Sequence, residues 1–207
     1  MSIVFYFAPM SSATPVACAL AELSVPHEAV AVDLASKVQK KAEFLRLNPN
    51  GKVPTLVVDG TPMFEGLAIL LWLGERFGVE QGLWPAAADP ARLTAMSWSA
   101  WAYVTVAPTI QRLLFATGAR GAPEMHNAAQ AELARTELDS LMTMLDERLG
   151  SAKYLLGKDY SLLDLIVASV VGYGAMVGLS LEQHAPVKRW LDQCQGRPSF
   201  RSVWKQA

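Results

Sequence analysis

Residues 48–74 compress a turn, two short strands and a helix start into one run, and little else in the chain restricts the fold as tightly. Asn48-Pro49 and Asn50-Gly51 are turn dipeptides. Val53-Pro54 then leads into the apolar run 55–58, which is too short for a helix and reads as a buried strand. Asp59-Gly60 is a hairpin signal, and Met63-Phe64 supplies a second short strand. Glu65-Gly66 opens a helix whose Ile69, Leu70, Trp72 and Leu73 recur at helical spacing. That pair therefore stands at a helix N-terminus, where unpaired N–H groups and the helix dipole favour an anion.

The surrounding sequence supplies partners for these strands. Residues 3–7 combine β-branched and aromatic side chains and read as a first strand. A loop rich in cap residues follows, then a helix with Val16, Leu20 and Leu23 on its apolar face. Residues 29–32 give a second strand and 38–47 a polar helix or helical turn. The order β-α-β-α-β-β-α describes a small α/β domain at 1–78, an ordinary domain size. Gly, Pro and Ala dominate the linker at 79–90, and the remainder, 91–207, reads as all helical. Asp89 caps a helix beginning at Pro90, which runs through Trp98, Trp101 and Val104 to Leu114 with a bend expected at Pro108. A long amphipathic helix is expected at 124–149, with Leu138, Leu141, Leu145 and Leu149 on one side. Shorter helices are expected at 161–177, 185–195 and 198–204.

Composition excludes several functions. A formal net charge of −1 lacks the concentrated basic face that nucleic acid requires. Cys18 and Cys194 are the only cysteines, so there is no disulfide framework, and no Cys and His pair has zinc-ligand spacing; no metal is expected. Mean hydropathy is +0.22, high for a soluble chain. The richest window, 162–177, is shorter than a membrane span and is broken by Asp164, so it reads as a buried central helix. The N-terminus has no basic segment ahead of its first apolar run, which predicts a cytoplasmic protein without a cleaved leader.

Three places can carry chemistry. Ser11 and Ser12 lie between the first strand and its helix, where a hydroxyl either caps the helix or stabilises a thiolate by hydrogen bonding. With Ser12 as cap, Pro15 falls at the third helical position and no intrahelical bond is lost; with Ser11 as cap it falls at the fourth. Thr14 capping a helix that begins at Pro15 is equally legal. Val53-Pro54 is either a trans edge feature or a cis turn that offers the Val53 backbone to a ligand. Glu65 and the Gly66 N–H suit the ammonium and carboxylate ends of an amino acid, although a glutamate in a first helical turn is common without any ligand.

At these residues the chain resembles the cytosolic glutathione S-transferases. The resemblance rests on Asn-Pro-x-Gly-x-Val-Pro followed by Glu-Gly-x-Ala-Ile, in an α/β domain ahead of a helical one. Glu65-Gly66 is similar to the bacterial beta class. Gly157 with Tyr160-Ser161-Leu162-Leu163-Asp164 looks like the family's buried capping box, and Arg197-Pro198 like its C-terminal motif. The resemblance implies a thioredoxin-like first domain with Pro54 cis and the Val53 backbone pairing with the cysteinyl part of glutathione. Glu65 would take the γ-glutamyl ammonium, Gly66 its carboxylate, and Lys37 or Lys52 the glycyl carboxylate.

The chain departs from the beta class at the thiol. An ungapped match puts Ser12 where that class has Cys, whereas the serine-type classes place their catalytic residue at Ser11. Either hydroxyl can donate to a thiolate, and neither can form a mixed disulfide, so the family's activity becomes conjugation of the glutathione thiolate to a small hydrophobic electrophile, a detoxification reaction. Met10, Trp101 and Tyr103 are the expected electrophile pocket, with Trp98 and the Met176 region as further walls. Phe7 stands where the beta class has a tyrosine. A homodimer is implied, with neither nucleic acid nor membrane as partner. Two alternatives stay open: a ligand-binding protein that keeps the fold without turnover, and a glutathione-dependent dehalogenase or reductase.

Overall fold

The computed structural model describes residues 1–204; residue 207, the expected end of the second domain, lies outside them. The chain divides into two compact units, Met1–Ala88 joined by the C-terminal segment from Gly196, and Asp89–Gln195.

The first unit is built on a four-stranded sheet in the order β2-β1-β3-β4, where β1 is Ile3–Phe7, β2 Glu28–Ala31, β3 Thr55–Val58 and β4 Thr61–Phe64. β1 and β2 run parallel, with Val4 opposite Glu28, and are connected by helix α1, Thr14–Glu22. β3 is antiparallel to both β1 and β4, with Tyr6 opposite Thr55 and Thr55 opposite Phe64. This is the thioredoxin-like arrangement. Asp59 and Gly60 form the β3–β4 turn with φ of +47° and +82°, the left-handed pair that a two-residue hairpin requires. Pro62 lacks a donor and is tolerated because β4 is an edge strand.

Alternation along β1 sorts its side chains. Phe5 and Phe7 stack at 5.5 Å on the face covered by α1, while Tyr6 meets Phe44 edge-on at 5.8 Å from the opposite face. Phe44 belongs to the four-residue helix α2, Ala42–Leu45. The helix expected at 38–47 is thus divided into a single turn at Val38–Lys40 and α2, because Lys41 between them is extended, with φ −76° and ψ 153°. Helix α3, Gly66–Leu73, buries Ile69, Leu70 and Leu73 and continues through a π-helical turn at Gly74–Gly78. Trp84 lies over Gly74 so closely that a Cβ there would be 2.9 Å from the ring. The stretch 79–90 is therefore anchored at Trp84 and is not a free linker.

The sequence pattern assigns the last helix, α9 (Pro198–Trp204), to the helical domain, and here the structure differs. Arg197 Nε donates to Glu22 at 3.1 Å, and Arg197 Nη2 and Ser199 Oγ bond the same carboxylate, which α1 buries. Three donors on one shielded carboxylate hold α9 against the first unit.

In the second unit α4 (Ala91–Ala100) begins where Asp89 accepts from Ala91 N at 2.8 Å. A π-helical turn, Trp101–Val106, joins it to α5 (Ala107–Ala116). Pro108 follows directly on this wider turn, in the first turn of α5, where its missing N–H costs no hydrogen bond within that helix. α6 starts at Ala128, later than the pattern predicts, because Asn127 caps it by accepting from Gln130 N at 3.0 Å and Pro123–Met125 forms a separate turn. Its buried face is Ala131, Ala134, Leu138, Met142, Leu145 and Leu149; Met142 takes the place expected for Leu141.

Helix α7, Leu162–Met176, is apolar on all sides and is surrounded by the other helices of its unit. Among the described residues no helix is long and apolar enough to cross a membrane. Asp164 sits in its first turn, fully buried. One carboxylate oxygen accepts from Ser161 N at 2.9 Å and Ser161 Oγ at 3.0 Å; the other accepts from Leu155 N at 2.8 Å and from Trp190 Nε1 of helix α8 (Ala185–Gln195) at 2.9 Å. The capping box thus also fastens the 154–157 loop and a neighbouring helix. Burial pushes the Asp164 carboxyl above the ordinary carboxylate range, with the four hydrogen bonds opposing it. Asp164→Ala leaves four donors facing an apolar void and is expected to destabilise the chain by about 3–5 kcal/mol. A circular-dichroism melt should show Tm lower by roughly 10 °C.

Candidate functional site

The site elements of the first unit meet around the loop between α2 and β3. Asn48 is buried, and its side chain spans that loop: Nδ2 donates to Lys52 O at 2.8 Å and Thr55 Oγ1 at 3.1 Å, while Oδ1 accepts from Asn50 N at 3.0 Å. Its carbonyl accepts from Gly51 N at 2.9 Å, and Thr55 Oγ1 donates to Lys52 O at 3.2 Å. One side chain therefore bonds three polar groups of an irregular segment, two of them on the backbone. Gly51 has φ +57°, and a Cβ there would lie 2.7 Å from Gln39 O, so the turn accepts only glycine. Within this frame the Val53-Pro54 peptide bond is cis.

The two serines divide their work. Ser11 Oγ donates to Ala8 O at 2.7 Å and accepts from Ala13 N at 3.1 Å, and Ser11 O accepts from Thr14 N at 3.0 Å. Its hydroxyl is thus engaged in the turn that starts α1. Ser12 Oγ instead donates to Val53 O at 2.8 Å, across 41 residues of sequence. Ser12 itself is exposed. The structure brings Ser12 to the Val53-Pro54 loop and keeps Ser11 in local hydrogen bonds.

Glu65 directly precedes α3 with φ +70° and ψ 117°, and Gly66 is the first helical residue, so its N–H is among those with no intrahelical partner. The exposed Glu65 carboxylate accepts from Asn50 Nδ2 at 3.3 Å. Lys37 and Lys52 are both exposed, Lys37 in a left-handed conformation at φ +56°. Met10, also left-handed at φ +49°, is 53% exposed. It lines a cavity of about 240 Å³ together with Phe7, Thr14, His27 and Val203, all within the first unit.

Trp101 and Tyr103 lie in the second unit, on the π-helical turn. Trp98 and Trp101 pack edge-on at 4.8 Å. Desolvation pushes the Tyr103 phenol far above its ordinary pKa, so the hydroxyl stays protonated and is a hydrogen-bond donor. Cys18 is buried, and desolvation with the nearby Glu22 charge raises its thiol to about 12; Cys194 is buried too. The Cys18 thiol is therefore protonated at neutral pH, and Cys194 is enclosed. Among the described residues no group of three or more His, Cys, Asp or Glu side chains is placed to hold a metal ion.

Asn48 and Asn50 connect the candidate site residues, although sequence reasoning gave them only turn and motif roles. The signal was present in Asn-Pro-Asn-Gly, where each asparagine can bond its own backbone two residues on, but the partners at Thr55 and Glu65 are visible only in three dimensions.

Residues 10–76 match the glutathione S-transferase N-terminal domain, and residues 100–198 the glutathione S-transferase C-terminal domain. The glutathione S-transferase GstB of Escherichia coli K12 is 30% identical over 187 residues, covering 89% of this chain and 88% of that protein. The disulfide-bond oxidoreductase YfcG of the same organism is 28% identical over 202 residues, covering 94% and 90%. A solved glutathione transferase homologue from Lodderomyces elongisporus, carrying two glutathione molecules per subunit, superposes with a TM-score of 0.86 at 19% identity, covering 100% and 99%.

Removing the side chain that spans the loop tests the framework directly. Asn48→Ala is expected to lower unfolding stability by about 2–3 kcal/mol, since Asn50 N loses its partner and Lys52 O and Thr55 Oγ1 each lose one of two. Urea denaturation read by circular dichroism measures it.

Proposed function

Since the chain belongs to the glutathione S-transferase family, we propose that it binds glutathione on its first unit and adds the thiolate to small hydrophobic electrophiles. The observation that carries this reading is the 2.8 Å bond from Ser12 Oγ to Val53 O, which sets a hydroxyl beside the backbone that would hold the cysteinyl part. Glu65 takes the γ-glutamyl ammonium and the Gly66 N–H its carboxylate, while Lys37 and Lys52 serve the glycyl end. When the cysteinyl N–H pairs with Val53 O, it displaces the Ser12 hydroxyl, which then donates to the sulfur. A hydrogen bond to a charged acceptor contributes about 1.5–3 kcal/mol, enough to lower the thiol pKa by roughly 1–2 units.

Met10 on the first unit, and Trp101 with Tyr103 on the second, are the apolar residues we assign to the electrophile, and the Tyr103 phenol is protonated. Support for glutathione as co-substrate also comes from the ligand held by the Lodderomyces homologue, which shares the fold. The chain acts in the cytoplasm as a homodimer. Leu93 and Val104 are 71% and 70% exposed and lie on one side of α4 and its continuation with Met96, an apolar stripe suited to a second copy.

A reductive reaction is the second reading, favoured by the likeness to YfcG. With Cys18 and Cys194 buried and Ser12 at the thiol position, no protein sulfur is available, so electrons for such a reaction come from glutathione itself.

Calorimetry with glutathione is expected to give saturable binding, and its absence removes the proposal. In steady-state assays with an aromatic electrophile, Ser12→Ala is expected to lower kcat by about 10–100-fold with KM within about two-fold. Ser11→Ala should retain most of kcat and show its loss in Tm. Binding without turnover, unchanged by Ser12→Ala, would favour a ligand-binding protein.

A further inference from the structure

Glu65 is the carboxylate assigned to the γ-glutamyl ammonium, and nothing in its own position holds it still. It is exposed, its side chain has three free torsions, and each torsion frozen on binding weakens affinity. Its backbone, at φ +70°, occupies a region that non-glycine residues rarely adopt, a conformation that persists when surrounding structure over-determines it. Among the described residues the carboxylate has a single hydrogen bond, from Asn50 Nδ2 to Oε1 at 3.3 Å.

Asn50, in contrast, is fixed at two backbone points. Its N–H donates to the buried Asn48 side chain at 3.0 Å, and its carbonyl accepts from Lys40 Nζ at 3.1 Å. Gly51 makes the second contact possible, because a Cβ there would lie 2.9 Å from Lys40 Nζ. The loop that holds Val53-Pro54 therefore also presents one amide to one carboxylate 15 residues away. A carboxylate only accepts, so the amide must turn its NH2 toward Glu65.

We propose that Asn50 is a positioning residue for the ammonium end of glutathione, acting through Glu65. Its amide engages Oε1 and holds the carboxylate so that Oε2 receives the ammonium. The specificity that follows is for γ-glutamyl thiols with a free primary ammonium, against analogues in which that nitrogen is acylated or missing. This rests on the glutathione reading and deepens it: the cysteinyl and γ-glutamyl halves of the site share one Asn48-held loop.

The experiment compares glutathione with its des-amino analogue, glutaryl-cysteinyl-glycine, in calorimetry and steady-state kinetics on the full chain. Asn50→Ala is expected to weaken glutathione binding about 5–10-fold with kcat within about two-fold, and to change binding of the des-amino analogue less than about two-fold. Asn50→Ser keeps both backbone contacts, shortens the side chain and should match Asn50→Ala. On a Glu65→Gln background, Asn50→Ala should cost less than about two-fold more, because the two act as one unit. Equal losses for glutathione and the des-amino analogue, fully additive effects, or a fall in kcat at constant KM would each overturn the assignment. If the wild-type chain binds no glutathione, both this inference and the functional reading fail; if it binds normally and Asn50→Ala and Asn50→Ser behave like wild type, only this inference fails.

Discussion

The buried amide of Asn48 organises the first unit. Strand β3 follows an irregular loop in which Gly51 N pairs with Asn48 O while Asn50 N and Lys52 O turn to side chains, and burying such groups unpaired costs about 1–3 kcal/mol each. Asn48 offers two donors and an acceptor at one point, and they meet Lys52 O, Thr55 Oγ1 and Asn50 N. Several of the candidate site residues of that unit connect to it. Val53 receives its position through Lys52 and Thr55, Ser12 reaches Val53 O, and Asn50 reaches Glu65. A hydrogen-bond framework suits a binding loop because it fixes geometry without covering the backbone that a ligand must reach.

The second unit uses the same device for a different end. Asp164 gathers four donors from a cap, a loop and helix α8, and so fixes the apolar α7 among its neighbours. Burial and hydrogen bonding act on that carboxyl in opposite directions. In both units a single short polar side chain, fully enclosed, replaces several backbone pairings that the chain cannot make for itself.

Much of this was legible in the sequence because local chemistry and the global fold agree. Asp59-Gly60 dictated a two-residue hairpin, alternation placed Tyr6 away from Phe5 and Phe7, and Glu65-Gly66 stood at a helix start. Elements failed where a competing local term decided. Lys41 adopts an extended conformation that divides the helix expected over 38–47, and the helix expected from Pro90 to Leu114 is interrupted by a π-helical turn at Trp101–Val106 that apolar periodicity does not signal. The assignment of α9 could not be read from periodicity, since the carboxylate that holds it, Glu22, lies 175 residues from Arg197. Ser11 and Ser12 were both candidates as sequence. Capping rules favoured Ser12 in the turn and left Ser11 free, whereas the observed bonds are the reverse, because the loop at Val53 supplies an acceptor that no local rule contains.

The central claim is that the Ser12 hydroxyl exchanges Val53 O for the sulfur of bound glutathione. Ultraviolet difference absorbance of the thiolate, titrated against pH in the complex, tests it most directly. The account predicts an apparent thiol pKa in the wild-type complex about 1–2 units below that of a free thiol, near 8.5, and its return toward that value in Ser12→Ala. An unshifted thiol in the wild-type complex, or the same depressed value with and without the Ser12 hydroxyl, would contradict it.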